Sequence, residues 1–412
     1  MNLIIPKKIS LISLFFFLAI IILPFADNLT GVFFKLKIMS EGSIGSPSQI
    51  MRFFLILLVL AFVNIEKFEQ PMKITLIIFS YLLMVETTIA CVHFNFIAFI
   101  SGILFSLKLL FTVSCYFYIS YWIDYDKQRT VFVIKQLINY GTVVATLVLV
   151  SYFSGFYISN YNVGIATRGL FISGNGLGSV LGISTILLIY FTKKITFFSL
   201  FHISLLILTT ALLGTKASLV YLLFSLFLLM KKLLAQKPFL SIFFGVCFCF
   251  YILIPLIDIL GSIFENIIYK FNHIDNKLTL IASSRDVFIR NALSHLNVES
   301  YNVLRILFGG GAYYAYTDYT TMALIKRKYL ENDLFELFFS YGITAVIVHF
   351  GSFIFSLNQC FNRSNMIIGL SLTLLFLSSI TMGLLYNGTS AITYAICLAI
   401  ASKGTKVEAK DF

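Results

Sequence analysis

The sequence predicts an all-α, polytopic integral membrane protein, and three observations predict it. Hydrophobic residues make up 59% of the 412-residue chain against 12% charged, with a mean hydropathy of +0.94, and that much apolar side chain outruns any core a soluble domain could bury. The apolar residues fall into about twelve stretches that match a bilayer, whose hydrocarbon core takes roughly 17 to 25 residues of helix. None of these stretches alternates with period two between turn signals, so their backbone groups must be satisfied within helices and not in a barrel.

In chain order the expected spans are 9–26, 51–65, 74–91, 96–123, 131–153, 177–191, 195–213, 217–230, 239–257, 334–357, 366–385 and 389–401. The first lacks a small-residue cleavage site before Asp27 and reads as a retained span, not a removed signal peptide. The long polar interruption divides the chain into three parts. Residues 1–258 carry nine spans, 259–333 form an outward-facing loop containing short helices, and 334–412 hold the last three spans and a tail.

Cytoplasmic loops carry the excess of lysine and arginine. With the N-terminus inside, the inner segments hold sixteen such residues and the short outer segments five, Lys35, Lys37, Arg52, Arg168 and Lys216, while Lys108 lies within a span. Both termini then face the cytoplasm. Lys35 and Lys37 run against the rule. The net charge of +12 serves orientation and contact with anionic headgroups of the bilayer. No basic block interleaved with aromatics marks a nucleic-acid site. All six cysteines sit in or beside spans, so no disulfide framework is indicated, and the five histidines have no ligand spacing for a metal. No cofactor is expected.

Polar residues interrupt the hydrophobic pattern in five places, and ionisable groups at membrane depth are functional candidates by default. Arg168 precedes Gly174, Asn175 and Gly176 at the start of the sixth span. This turn suits either backbone anion binding at a helix N-terminus or close helix packing. Gly214-Thr215-Lys216 breaks two apolar stretches too long to be one helix, and Lys216 serves either as a point charge for phosphate or as a snorkelling side chain. Ser283-Ser284-Arg285-Asp286 fits a capping box that places Arg285 in a first helical turn, with Arg290 about 140° further around. Gly309–Gly311 reads as a tight turn before Tyr313, Tyr314 and Tyr316, whose rings suit sugars or an interfacial belt. Glu331, Asn332, Asp333 and Glu336 gather where the chain re-enters the membrane, with Asn332 as N-cap. Acids at a helix start are also ordinary dipole complements.

In their order and spacing these segments resemble the O-antigen polymerase and ligase superfamily over the central half of the chain. Arg168-Gly169 with Gly174-Asn175-Gly176 matches its arginine and glycine-rich turn, and Gly214-Thr215-Lys216-Ala217 matches a Gly-Ser-Arg-Gly-like break with lysine replacing arginine. Ligases carry a His-Asn pair eleven residues before a glycine; here Glu331-Asn332 precedes Gly342. The missing histidine argues against ligase activity, while the lysine break and the Glu-x-Asp entry at 331–333 resemble Wzy-type polymerases of surface polysaccharide repeats. The resemblance implies undecaprenyl-diphosphate-linked glycans as substrates at the outer leaflet of the inner membrane, and a chain-length regulator as partner. It also implies metal-independent glycosyl transfer. Arg285, Lys216, Arg168 and Arg290 would bind the diphosphate, Glu331 or Asp333 would act on the acceptor hydroxyl, and Asn332 with the tyrosines would bind sugar. The competing functions are a ligase and a flippase or transporter of the same lipid-linked glycans.

Overall fold

The computed structural model describes residues 7–39, 45–66, 68–159, 166–236, 289–290, 292–294, 302–315, 330–363 and 365–412. Among them the structure is helical, and its β-pairing is an isolated bridge between Ser159 and Thr167. The first span is α1 (Lys7–Phe17), a π-helical turn (Leu18–Ile22) and α2 (Leu23–Lys35), nine residues longer than expected at its far end. Six further helices match expected spans. They are α3 (Pro47–Ile65), α4 (Glu69–His93), α5 (Phe96–Ile123), α6 (Lys127–Phe153), α7 (Gly174–Phe191) and α8 (Phe197–Leu212). Next come α9 (Lys216–Gln236), the short α10 (Asn302–Phe308) and α11 (Gly311–Tyr314), then α12 (Asp333–Asn362), α13 (Met366–Met382) and α14 (Gly388–Lys403).

Among the described residues eight helical stretches are long and apolar enough to cross a membrane, whereas α8, α13 and α14 have 16, 17 and 16 residues. The expected span 239–257 lies outside the described residues, as does most of the polar loop. The helices start where side chains can satisfy their first N–H groups. Asn95 accepts from Ala98 N–H at 3.1 Å, Asp126 from Arg129 N–H at 2.9 Å and Asn332 from Phe335 N–H at 3.2 Å. Lys35, which runs against the charge bias, has a local partner. Its ammonium donates to Tyr157 O at 2.7 Å and lies 4.1 Å from the Phe156 ring centre.

Two helices form the centre. Residues 388–402 of α14 are all buried, as is most of α7. Small side chains let helices approach where lipid supplies no hydrophobic drive between them. Gly178 and Gly182 bring α7 onto Ser218 and Tyr221 of α9, while Gly141 brings α6 onto Ser184. Large apolar residues instead cover the outside, among them Phe53, Phe54, Phe198, Phe201 and Phe227.

Part of the polar loop docks into this body. α12 breaks at Gly342 (φ +73°), where a β-carbon would overlap the Leu307 carbonyl, and a β-carbon on Gly309 would likewise overlap Ser340. The carbonyls released by the break find donors in Gly310 N–H (to Phe339 O, 2.9 Å) and the Tyr81 hydroxyl (to Tyr341 O, 2.7 Å). Thr344 Oγ1 donates to Leu307 O at 2.9 Å, and the buried Glu86 carboxylate accepts from Ala312 N–H at 2.8 Å. The Gly309–Gly311 turn is thus the seam between loop and kinked helix.

Candidate functional site

A cavity of about 210 Å³ opens among α2, α3, α5, α7, α12 and the α13–α14 turn. Four of its lining residues, Ser46, Ser173, Asn332 and Asn387, are the N-cap residues of α3, α7, α12 and α14. Four positive helix ends therefore meet around one space, where they offset the carboxylates of Asp27, Glu331, Asp333 and Glu336 that also line it. Two cations join them. Arg52 comes from the first turns of α3, and Lys108 lies 12 residues into α5, about 18 Å along its axis.

Arg52 is held by a built network. Its Nη2 lies 3.2 Å from Asp27 Oδ1, and it also donates to Ser48 Oγ, which itself donates to Asp27. The other Asp27 oxygen accepts from Thr389 Oγ1 at 2.8 Å. Thr389 O in turn accepts from the buried Tyr140 hydroxyl at 2.9 Å. The guanidinium lies so close to the first residue of α14 that a β-carbon on Gly388 would overlap it.

The acidic side of the cavity comes from Glu331, Asp333 and Glu336. Asp333 is buried, and its Oδ2 accepts from Leu384 N–H at 2.7 Å and Leu385 N–H at 3.0 Å. Glu336 is also buried and accepts from Leu330 N–H at 3.1 Å. Glu331 is exposed.

The residues nominated from sequence divide accordingly. Glu331, Asn332, Asp333 and Asn175 line the cavity together. Asn332 spends its side-chain oxygen on capping α12. Gly176 serves packing, since a β-carbon there would overlap Asn387, and its N–H donates to Ser173 Oγ at 3.4 Å. Gly174 is buried at the start of α7. Arg168 does not line the cavity. It donates to Ile172 O and so shapes the loop whose next residues, Ile172 and Ser173, do. Lys216 is exposed at the start of α9, outside the lining, in a turn closed by reciprocal bonds between Thr215 and Ser218 at 3.0 and 3.1 Å. Arg290 is exposed and also outside it.

Tyr314 is buried, accepts from Asn95 Nδ2 at 2.8 Å and packs on His93, so it anchors α11 to α4 and α5. Tyr313 is partly exposed and packs edge-on against it. Neither tyrosine lines the cavity. Arg285 and Tyr316 lie outside the described residues. Arg305, unremarked in the sequence, is buried and donates to Tyr314 O at 2.7 Å.

Sequence reading passed over Asp27, Arg52 and Lys108 as site residues. Lys108 had the clearest signal, a cation midway along an apolar helix. Arg52 sits four residues after Ser48, one helical turn, but its pairing with Asp27 spans 25 positions. No family model matches the chain, and no curated protein matches it.

Proposed function

We propose that the protein is a glycosyltransferase of the membrane that joins lipid-diphosphate-linked oligosaccharide repeats, as the O-antigen polymerases it resembles do. The cavity end of the bundle then faces the outer side of a bacterial inner membrane, and both termini face the cytoplasm. One observation supports this reading: a single cavity within the helical bundle combines Arg52, Lys108 and four helix N-termini with the carboxylates of Asp27, Glu331, Asp333 and Glu336. A lipid diphosphate needs basic groups at the outer interface, and charge building on it as the glycosidic bond breaks needs fixed donors. The acceptor hydroxyl needs a carboxylate that orients or deprotonates it. Arg52 and Lys108 take the diphosphate role here. Arg285 keeps its expected share of that role, and Arg168 contributes by shaping the loop beneath α7.

A carrier of the same lipid-linked glycans is the second reading, favoured by the break of α12 at Gly342, because a half-helix ending at a polar cavity is also a transporter feature. Purified protein in nanodiscs, supplied with lipid-linked repeats as the only substrate, separates the two. Polymer should form, and K108A should lower its rate roughly 100-fold while the protein stays monodisperse. Absence of polymer together with glycan translocation in proteoliposomes would favour the carrier. Polymer appearing only on an added lipid-core acceptor would favour the ligase.

A further inference from the structure

Four acids line the cavity, and Asp27 among them is engaged by Arg52, Ser48 and Thr389; the other three are not equivalent, and their difference assigns roles within the glycosyl-transfer reading, on which this inference rests. Asp333 is 1% exposed and gives Oδ2 to the N–H groups of Leu384 and Leu385. Glu336 gives Oε2 to Leu330 N–H. Glu331 is exposed on the cavity wall and has φ +52°, a left-handed conformation that residues with a β-carbon avoid.

Each buried acid fixes a neighbour of Glu331. Glu336 holds the residue before it. Asp333 holds the α13–α14 turn, whose Gly383 backs onto Glu331 so closely that a β-carbon there would stand 3.2 Å from Glu331 Cα. Asn332, the residue after it, is fixed as the cap of α12. A non-glycine residue kept left-handed by three independent contacts, with its side chain on a cavity wall, has the form of a preorganised functional group.

We propose that Glu331 is the catalytic base and that Asp333 and Glu336 are positioning residues that hold it in place. The Glu331 carboxylate takes the proton of the acceptor sugar hydroxyl, and the oxygen's electron pair forms the new bond to the donor's anomeric carbon. The bond from that carbon to the diphosphate oxygen breaks, and its electron pair leaves with the lipid diphosphate. The proton then passes from Glu331 to water.

Steady-state polymerisation in nanodiscs by E331Q, E331G, D333N and D333A tests the assignment. E331Q cannot take a proton, so kcat should fall roughly 100-fold or more with KM nearly unchanged. E331G keeps the left-handed backbone without strain, so its equal loss of kcat in a fully folded protein would exclude misfolding as the cause. Asparagine at 333 retains an oxygen that can accept from Leu384 and Leu385, whereas alanine does not. D333N should therefore keep about a third or more of kcat with KM nearly unchanged, while D333A loses turnover. An E331Q protein as active as wild type, or a folded D333N protein as dead as E331Q, would overturn the assignment alone. A wild-type protein that forms no polymer would remove the glycosyl-transfer reading and this assignment with it.

Discussion

Replacing Asp27 with alanine probes the polar network on the cavity wall. The Asp27 and Arg52 side chains are 7% and 12% exposed and 3.2 Å apart, a separation at which Coulomb's law gives about 5 kcal/mol for an effective dielectric of about 20. Much of that offsets desolvation, but removing one partner leaves the other charge buried, which costs about 3–5 kcal/mol. Ser48 and Thr389 also lose their acceptor, at about 1 kcal/mol each in isolation. D27A should therefore destabilise the protein by about 3–5 kcal/mol, measured by equilibrium unfolding in mixed micelles. The double variant D27A/R52A removes the stranded charge together with its partner, so it should recover at least about 1.5 kcal/mol of that loss. If D27A unfolds at the wild-type midpoint, or the double variant is no better than D27A, the pair is solvated and the reasoning fails.

Three other outcomes follow from the same geometry. K216A, at an exposed residue outside the cavity lining, should retain more than half of the polymerisation rate; a tenfold loss would return Lys216 to the site. G342A forces a β-carbon into the Leu307 carbonyl at a residue with φ +73°, so it should cost about 3 kcal/mol or more and expose residues 302–315 to protease. Unchanged protection of that segment would argue against the seam. Y314F removes the hydroxyl that accepts from Asn95, which should cost about 1 kcal/mol of stability and leave glycan affinity, read by titration calorimetry, unaltered.

Much of the site was legible residue by residue and little of it as a site. The acids at 331, 333 and 336 stood out because polar residues at the start of an apolar run are few and expensive, and all three line the cavity. Their separate tasks were hidden, because the partners of Asp333 lie 51 and 52 positions away in the α13–α14 turn. The glycines at 174 and 176 could bind an anion or admit another helix, and sequence carries no information on which neighbour arrives. Asn387 arrives at Gly176. The tyrosines after the Gly309–Gly311 turn looked like sugar platforms, yet Tyr314 is turned inward to meet His93 and Asn95.

The sequence by itself determined the class of fold and the position of most helices, because hydropathy and capping are local properties that lipid enforces along every span. Only the tertiary structure decided which charges share a space. Arg52 and Lys108 come from separate helices, and their meeting with Asp27 and Glu331 depends on how α2, α3, α5 and α12 pack around α14. Close contacts at Gly388, Gly176 and Gly342 belong to that packing. Each such contact joins residues remote along the chain, so no window of sequence contains both of its sides.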